Sequence, residues 1–212
     1  MGFFSKKKDS SNQNIIFMGI HGQAATIKSL LLAGIRGVPM DVDFAKTDIK
    51  PDQLHSYQTI HSSDKAPILT QGDFSVSGAR GIQTYIDIRG NGASLYPRKA
   101  RVLGQQNYWI EVCYKVLAPV VQAIANSDSN EDIEDQCNHV LTSLNNILAD
   151  SHFVAGPLSL ADPHVASYIY VLRATGKNLQ DYSNITNWIT RLEDQMSDNL
   201  KDKYLSFVNS DL

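Results

Sequence analysis

The residues able to do chemistry in this 212-residue chain are few and scattered. Six histidines stand at positions 21, 55, 61, 139, 152 and 164 without the tight spacing of metal ligands, so no metal is expected. Two cysteines, Cys113 and Cys137, form no C-x-x-C pair and are too few for a cluster or a disulfide framework. Both fall in segments that read as helix, which predicts reduced core thiols and suits the cytoplasm. Ser159 and Asp162 are spaced as a helix N-cap and its third-position partner, a structural pairing that satisfies backbone N–H groups. The turn His21-Gly22-Gln23 leads directly into a helical stretch, and Pro67 lies at the entry to a strand.

The elements that must position these residues follow from periodicity. Residues 14–20, rich in β-formers, read as a buried strand; Ile27, Leu30, Leu31 and Gly34 mark a helix from Thr26 to Ile35 that Arg36 and Gly37 stop. Val38, Met40, Val42 and Phe44 alternate with polar residues, a second strand parallel to the first. A short helical stretch from Pro51 to Tyr57 precedes a strand over 63–70. The tight turn Gln71-Gly72-Asp73 then joins it to an antiparallel partner, Phe74-Ser75-Val76. Residues 78–89 return to helix. After the composition shift Gly90-Asn91-Gly92-Ala93-Ser94 the chain reads as helical. The expected helices are 98–125 with a kink at Pro119, 131–149, a nearly all-apolar Val165–Leu172, and a last one over 184–197. Hydrophobic residues make up 42% and charged residues 19%, enough to bury a core. A formal net charge of −3 gives no electrostatic reason to expect nucleic acid or an anionic membrane, and no apolar run is long enough to span one. Residues 1–12, with Lys6–Lys8, read as a flexible solvated tail. The Ser5 placement misses a myristoylation pattern by one position.

These parts together resemble the cytosolic glutathione transferase superfamily, as a divergent member, over residues 14–200. Lys65-Ala66-Pro67-Ile68-Leu69 followed by Gly72-Asp73-Phe74 is similar to that family's K-V-P-x-L … D-G/G-D segment, and Ile82-Gln83-Thr84-Tyr85-Ile86 to its next helix. Phe153-Val154-Ala155-Gly156 through Leu158-Ser159-Leu160-Ala161-Asp162 is similar to F-x-A-G-x-x-x-T/S-x-A-D, and Trp188-Ile189-Thr190-Arg191-Leu192 to W-x-x-R. The resemblance implies a thioredoxin-like α/β N-terminal domain (13–89), a linker (90–96), an all-α C-terminal domain (97–207) and a homodimer. It also implies glutathione as co-substrate, a small electrophile as the other substrate, and a role in detoxification.

The resemblance carries residues with it. Pro67 would be a cis proline whose neighbour Ala66, with Lys65 beside it, offers backbone groups to glutathione. The thiol-activating stretch corresponds to residues 19–26, which hold no Tyr, Ser or Cys. His21, Gln23 or the backbone N–H groups of Gln23 to Ala25 would take over the hydrogen bond to the thiolate, or these are ordinary loop residues. Thr26 would cap or open the helix. The family's Glu/Gln-Ser pair falls on Gly78 and Ala79, with Ser77 and Arg80 alongside as carboxylate-binding residues. Tyr108 and Trp109, with Val112 and Tyr114, would line the acceptor pocket. Two functions compete: a transferase with a non-standard thiol-activating site, and a non-catalytic module that keeps the scaffold for contacts. A redox enzyme using its own cysteine is disfavoured, since none stands at the first helix.

Overall fold

The computed structural model describes residues 13–45 and 67–209. The expected tail at 1–12, the helical stretch at 51–57, and Lys65 and Ala66 lie outside the described residues. Four strands form one sheet in the order β2-β1-β3-β4: β1 (Ile16–Ile20), β2 (Asp41–Ala45), β3 (Ile68–Gln71) and β4 (Phe74–Ser77). β1 runs parallel to β2 and antiparallel to β3, and a two-residue turn, Gly72-Asp73, folds β4 back antiparallel on β3. Phe17 and Leu69 face each other in this register, and both are fully buried.

Between β1 and β2 runs α1 (Ala24–Ile35), whose residues Thr26 to Gly34 are all buried. It ends as the sequence predicts: the Gly37 N–H donates to the Gly34 carbonyl and the Val38 N–H to the Ala33 carbonyl, a Schellman stop with Gly37 at φ +64°. α2 (Ala79–Arg89) follows β4 and packs on α1. Beyond it come α3 (Ala100–Val112), α4 (Ala118–Ala125), α5 (Glu131–Asp150), α6 (Ala161–Ala174), α7 (Ser183–Glu193) and α8 (Asp198–Asn209). Among the described residues no helix is long and apolar enough to cross a membrane.

The structure corrects three expectations. The second strand begins at Asp41, not Val38. Its lead-in is claimed by Tyr204 of α8, whose hydroxyl accepts from the Met40 N–H and donates to the Val38 carbonyl, both at 2.8 Å. The last expected helix, 184–197, is α7 and stops at Glu193, and a further helix that was not expected, α8, follows from Asp198; between them the Ser197 N–H donates to the Gly34 carbonyl of α1 at 2.9 Å. The helix over 98–125 contains a π turn, Cys113–Leu117, between α3 and α4. Pro119 has no N–H to donate back and its ring needs room, and one wide turn just before it meets both conditions.

Two polar clusters join the elements. The carboxylate of Asp162 accepts from the N–H groups of Val154 and Ser159 and from the Trp188 indole, all near 3 Å. The Ser159 hydroxyl accepts in turn from the Ala161 N–H at 3.3 Å, so the expected capping pair is present with the two loops and α7 tied into it. Arg36, the C-cap of α1, lies with its Nε 3.1 Å from Asp87 Oδ1, and its Nη atoms donate to the carbonyls of Asp87, Asn91 and Ala93.

Candidate functional site

The sheet register brings three chain segments to one edge. Because β1 and β3 are antiparallel with Met18 opposite Ile68, the loop that leaves β1 at Ile20 lies beside Pro67. Because Ile68 is also opposite Ser77, the start of α2 arrives at the same edge, and the Gly78 N–H donates to the Pro67 carbonyl at 3.2 Å. Both α1 and α2 therefore begin here, and a helix start presents unpaired N–H groups and positive potential.

In the first segment, Gln23 is the N-cap of α1, exposed, with no side-chain cap bond. Its own N–H donates to the Ile20 carbonyl at 3.3 Å, which leaves Ala24 and Ala25 as the first-turn N–H groups able to face a ligand. His21 is half-buried with its ring edge-on to Phe44, centroids 5.2 Å apart. Thr26 lies inside the helix and does not cap it: its buried hydroxyl accepts from the Ile20 N–H at 3.0 Å and fixes the end of β1. Gly19 is what permits this, since a Cβ there would come within 2.5 Å of the Thr26 methyl.

In the second segment Gly78 is the N-cap of α2 at φ +78°, where an L side chain would be strained, and the space beside it is open. Ala79 and Ser77 are half-buried and Arg80 is exposed. The structure thus brings His21, Gln23, Pro67, Ser77, Gly78, Ala79 and Arg80 to one edge. It does not bring Tyr108 and Trp109 there in the same way: Trp109 is buried in the core and Tyr108 is exposed on α3.

Next to the first segment lies an open cleft of about 810 Å³. Its walls are the loop 20–25, α4 through Val121 and Ile124, and α6 through Tyr168 and Val171. Behind Tyr168 is a feature the periodicity reading of α1 passed over. Lys28 is 2% exposed, and its Nζ sits 5.3 Å from the ring centre of Tyr114 and 5.5 Å from that of Tyr168. Burial lowers its pKa to about 8, with the nearby Cys113 pulling the other way. Burial pushes the Cys113 thiol up to about 12 and the His164 imidazole down to about 3. A carbonyl only accepts, so the 2.9 Å contact of His164 Nδ1 with the Leu160 carbonyl puts the imidazole proton on Nδ1. The signal for Lys28 was present: a helix apolar on all sides must be covered on all sides, and its one lysine goes inside with it.

No protein-family model matches the sequence, and no curated protein matches it either. Solved structures do. A delta-class glutathione transferase from Nilaparvata lugens is 21% identical, with 93% of this chain and 100% of that one covered at a TM-score of 0.70. Glutathione S-transferase 1-6 from Anopheles dirus species B is 16% identical, with 92% and 96% covered at 0.75. A glutathione transferase homolog from Drosophila mojavensis, with glutathione bound, is 20% identical, with 94% and 98% covered at 0.66. A thioredoxin-like α/β domain with an all-α domain behind it, matched along nearly the whole chain, is the glutathione transferase fold.

Proposed function

We propose that the protein is a divergent member of the glutathione transferase superfamily. It joins the glutathione thiolate to a small electrophile, and its thiol-activating site uses amide groups where a hydroxyl is usual. The observation that carries this reading is the convergence of loop 21–25, Pro67 and the start of α2 at one sheet edge, with two helix N-termini aimed at it. The γ-glutamyl carboxylate would be held by the first-turn N–H groups of α2, the Ser77 hydroxyl and Arg80. Lys65, Ala66 and Pro67 would present main chain to the cysteinyl part. The thiol would lose its proton to solvent, and the Gln23 amide with the Ala24 and Ala25 N–H groups would stabilise the sulfur anion. The thiolate then forms a C–S bond to the electrophile, which expels a leaving group or takes up a proton. The neighbouring cleft, with Val121, Ile124 and Val171 on its walls, suits an apolar acceptor.

The same reading makes the protein a cytoplasmic homodimer active in detoxification. Its buried free cysteines are at home in a reducing compartment. The large apolar groups exposed on β4 and α2, Phe74 stacked on Tyr85 and Ile88 one turn beyond it, would supply a self-association face.

The test is calorimetric titration with glutathione and, on the same sample, conjugation of a general aromatic electrophile. Saturable binding with turnover is expected, and Gln23→Ala should lower kcat/KM by about tenfold to a hundredfold, as for loss of one hydrogen bond to a charged group. His21→Ala is measured alongside, because His21 is the alternative donor. A folded protein that binds no glutathione at millimolar concentration sinks the enzyme reading. It would favour a non-catalytic module, a reading motivated by the missing hydroxyls at 19–25 and at Gly78 and Ala79.

A further inference from the structure

Four other titratable side chains are buried among the described residues with a clear partner or none needed. Arg36 and Asp87 pair with each other, Asp162 receives three N–H donors, and His164 is neutral. Lys28 is different: among the described residues it has no carboxylate, carbonyl or hydroxyl in hydrogen-bond reach, only the faces of two tyrosines. Ring faces attract an ammonium, yet they return less than near-complete burial removes, and an apolar side chain of the same length would fill the space at lower cost. The residues around it show what it faces. Tyr168 is both a wall of its cage and a wall of the cleft beside loop 20–25. Tyr114, the other wall, is 52% exposed, so the cage has one side open to movement. Arg80 lies near enough that its charge opposes the upward shift of the Tyr114 hydroxyl, which burial raises. Among the described residues Cys113 is the one acidic group that acts on Lys28, and burial keeps its thiol protonated at neutral pH.

We propose that Lys28, behind the Tyr168 wall of the acceptor cleft, is its anion-holding group, so that the favoured electrophiles carry a carboxylate or sulfonate on an apolar or aromatic body. The proposal rests on reading that cleft as the acceptor site. The apolar body lies along Val121, Ile124 and Val171, and its anionic end reaches the ammonium between Tyr114 and Tyr168. Specificity then comes from a charge that gains a partner only when the right substrate is present.

The experiment needs no glutathione, so a failure to bind glutathione and a failure of this proposal are distinguishable. Purified full-length protein, wild type and Lys28→Met, is titrated by fluorescence with 8-anilino-1-naphthalenesulfonate and with N-phenyl-1-naphthylamine, the same aromatic body without the sulfonate. At about pH 6.5 the wild type should prefer the sulfonate by about tenfold, and Lys28→Met should lose that preference while keeping the neutral probe within about twofold. Equal sulfonate affinity in the two proteins overturns the proposal. Wild-type pH dependence gives a second reading should the variant not fold. The groups around Lys28 are Cys113 and Tyr114 from the π turn and His164 and Tyr168 from α6, with Arg80 of α2 acting on Tyr114. Cys113 near 12 and His164 near 3 hold their protons or stay neutral across the range, so Lys28 near 8 is the group that titrates. Sulfonate affinity should fall above about pH 8 with neutral-probe affinity constant, and a flat profile overturns the proposal as surely as an unchanged variant.

Discussion

Lys28 and Arg36 are the two cations buried on or at the end of α1, and their fates differ because one met a carboxylate. The Lys28 ammonium gives up most of its water for two tyrosine faces and no carboxylate among the described residues, and its pKa falls from 10.5 to about 8. Below about pH 8 both folded and unfolded chains carry the charge and the fold bears its full burial cost. Between about 8 and 10.5 the unfolded chain keeps the proton that the folded chain has lost, so stability rises with pH. Lys28→Met has no such dependence. Its stability advantage over wild type should be largest near neutral pH and shrink by about 3 kcal/mol as pH passes from about 8 to 10.5, read from urea unfolding of both proteins at each pH. Comparing the two cancels most of the opposite trend from Cys113, whose raised pKa costs stability at high pH in both. At this scale the sequence was half legible. The turn that carries His21 and Gln23 was legible, because a turn between a strand and a helix is a local pattern. Lys28 was passed over because its signal lies in the whole of α1, apolar on every side, and not in the residue itself.

Elements whose signals are local were read correctly, and those that depend on a distant partner were not. β1, the β3–β4 hairpin, α2, α5 and the stop of α1 all carry their own punctuation in turns, caps and period. α8 does not: Leu200, Tyr204 and Val208 are its buried positions, a narrow stripe that holds only when docked. The docking is also what moves the start of β2, since one tyrosine hydroxyl takes the two backbone groups that would have extended the ladder. Tyr204→Phe removes that hydroxyl and leaves a buried N–H and a buried carbonyl unpaired. The expected loss is about 1–3 kcal/mol of unfolding free energy, with faster amide exchange at Met40 than elsewhere in the sheet edge. The kink expected at Pro119 became a π turn, the same physical demand answered by a different local geometry.

For the molecule as a whole, the sequence predicted an α/β part followed by helices, and the sheet order and packing agree with that architecture. What it left out is how far α1 belongs to both parts: it packs against α2 on one side and against α6, α7 and α8 on others. Apolar exposure points to a further level of assembly, and the prediction there is quantitative. Ile88, 76% exposed on α2, and Phe74 on β4 should lie within the self-association face. Sedimentation of wild type as a dimer and of Ile88→Glu as a weaker dimer or monomer, with unchanged far-ultraviolet circular dichroism, is the expected outcome. A monomeric wild type would remove the dimer from the reading. Finally, Arg36 grips the carbonyls of Asn91 and Ala93, and Asp87 accepts from Ser94 and the Leu95 N–H. The connection between the two parts is therefore fastened down along its length, not strung between them. A connection tied in this way leaves no slack among its described residues, so the scattering envelope should be the same with the cleft filled or empty.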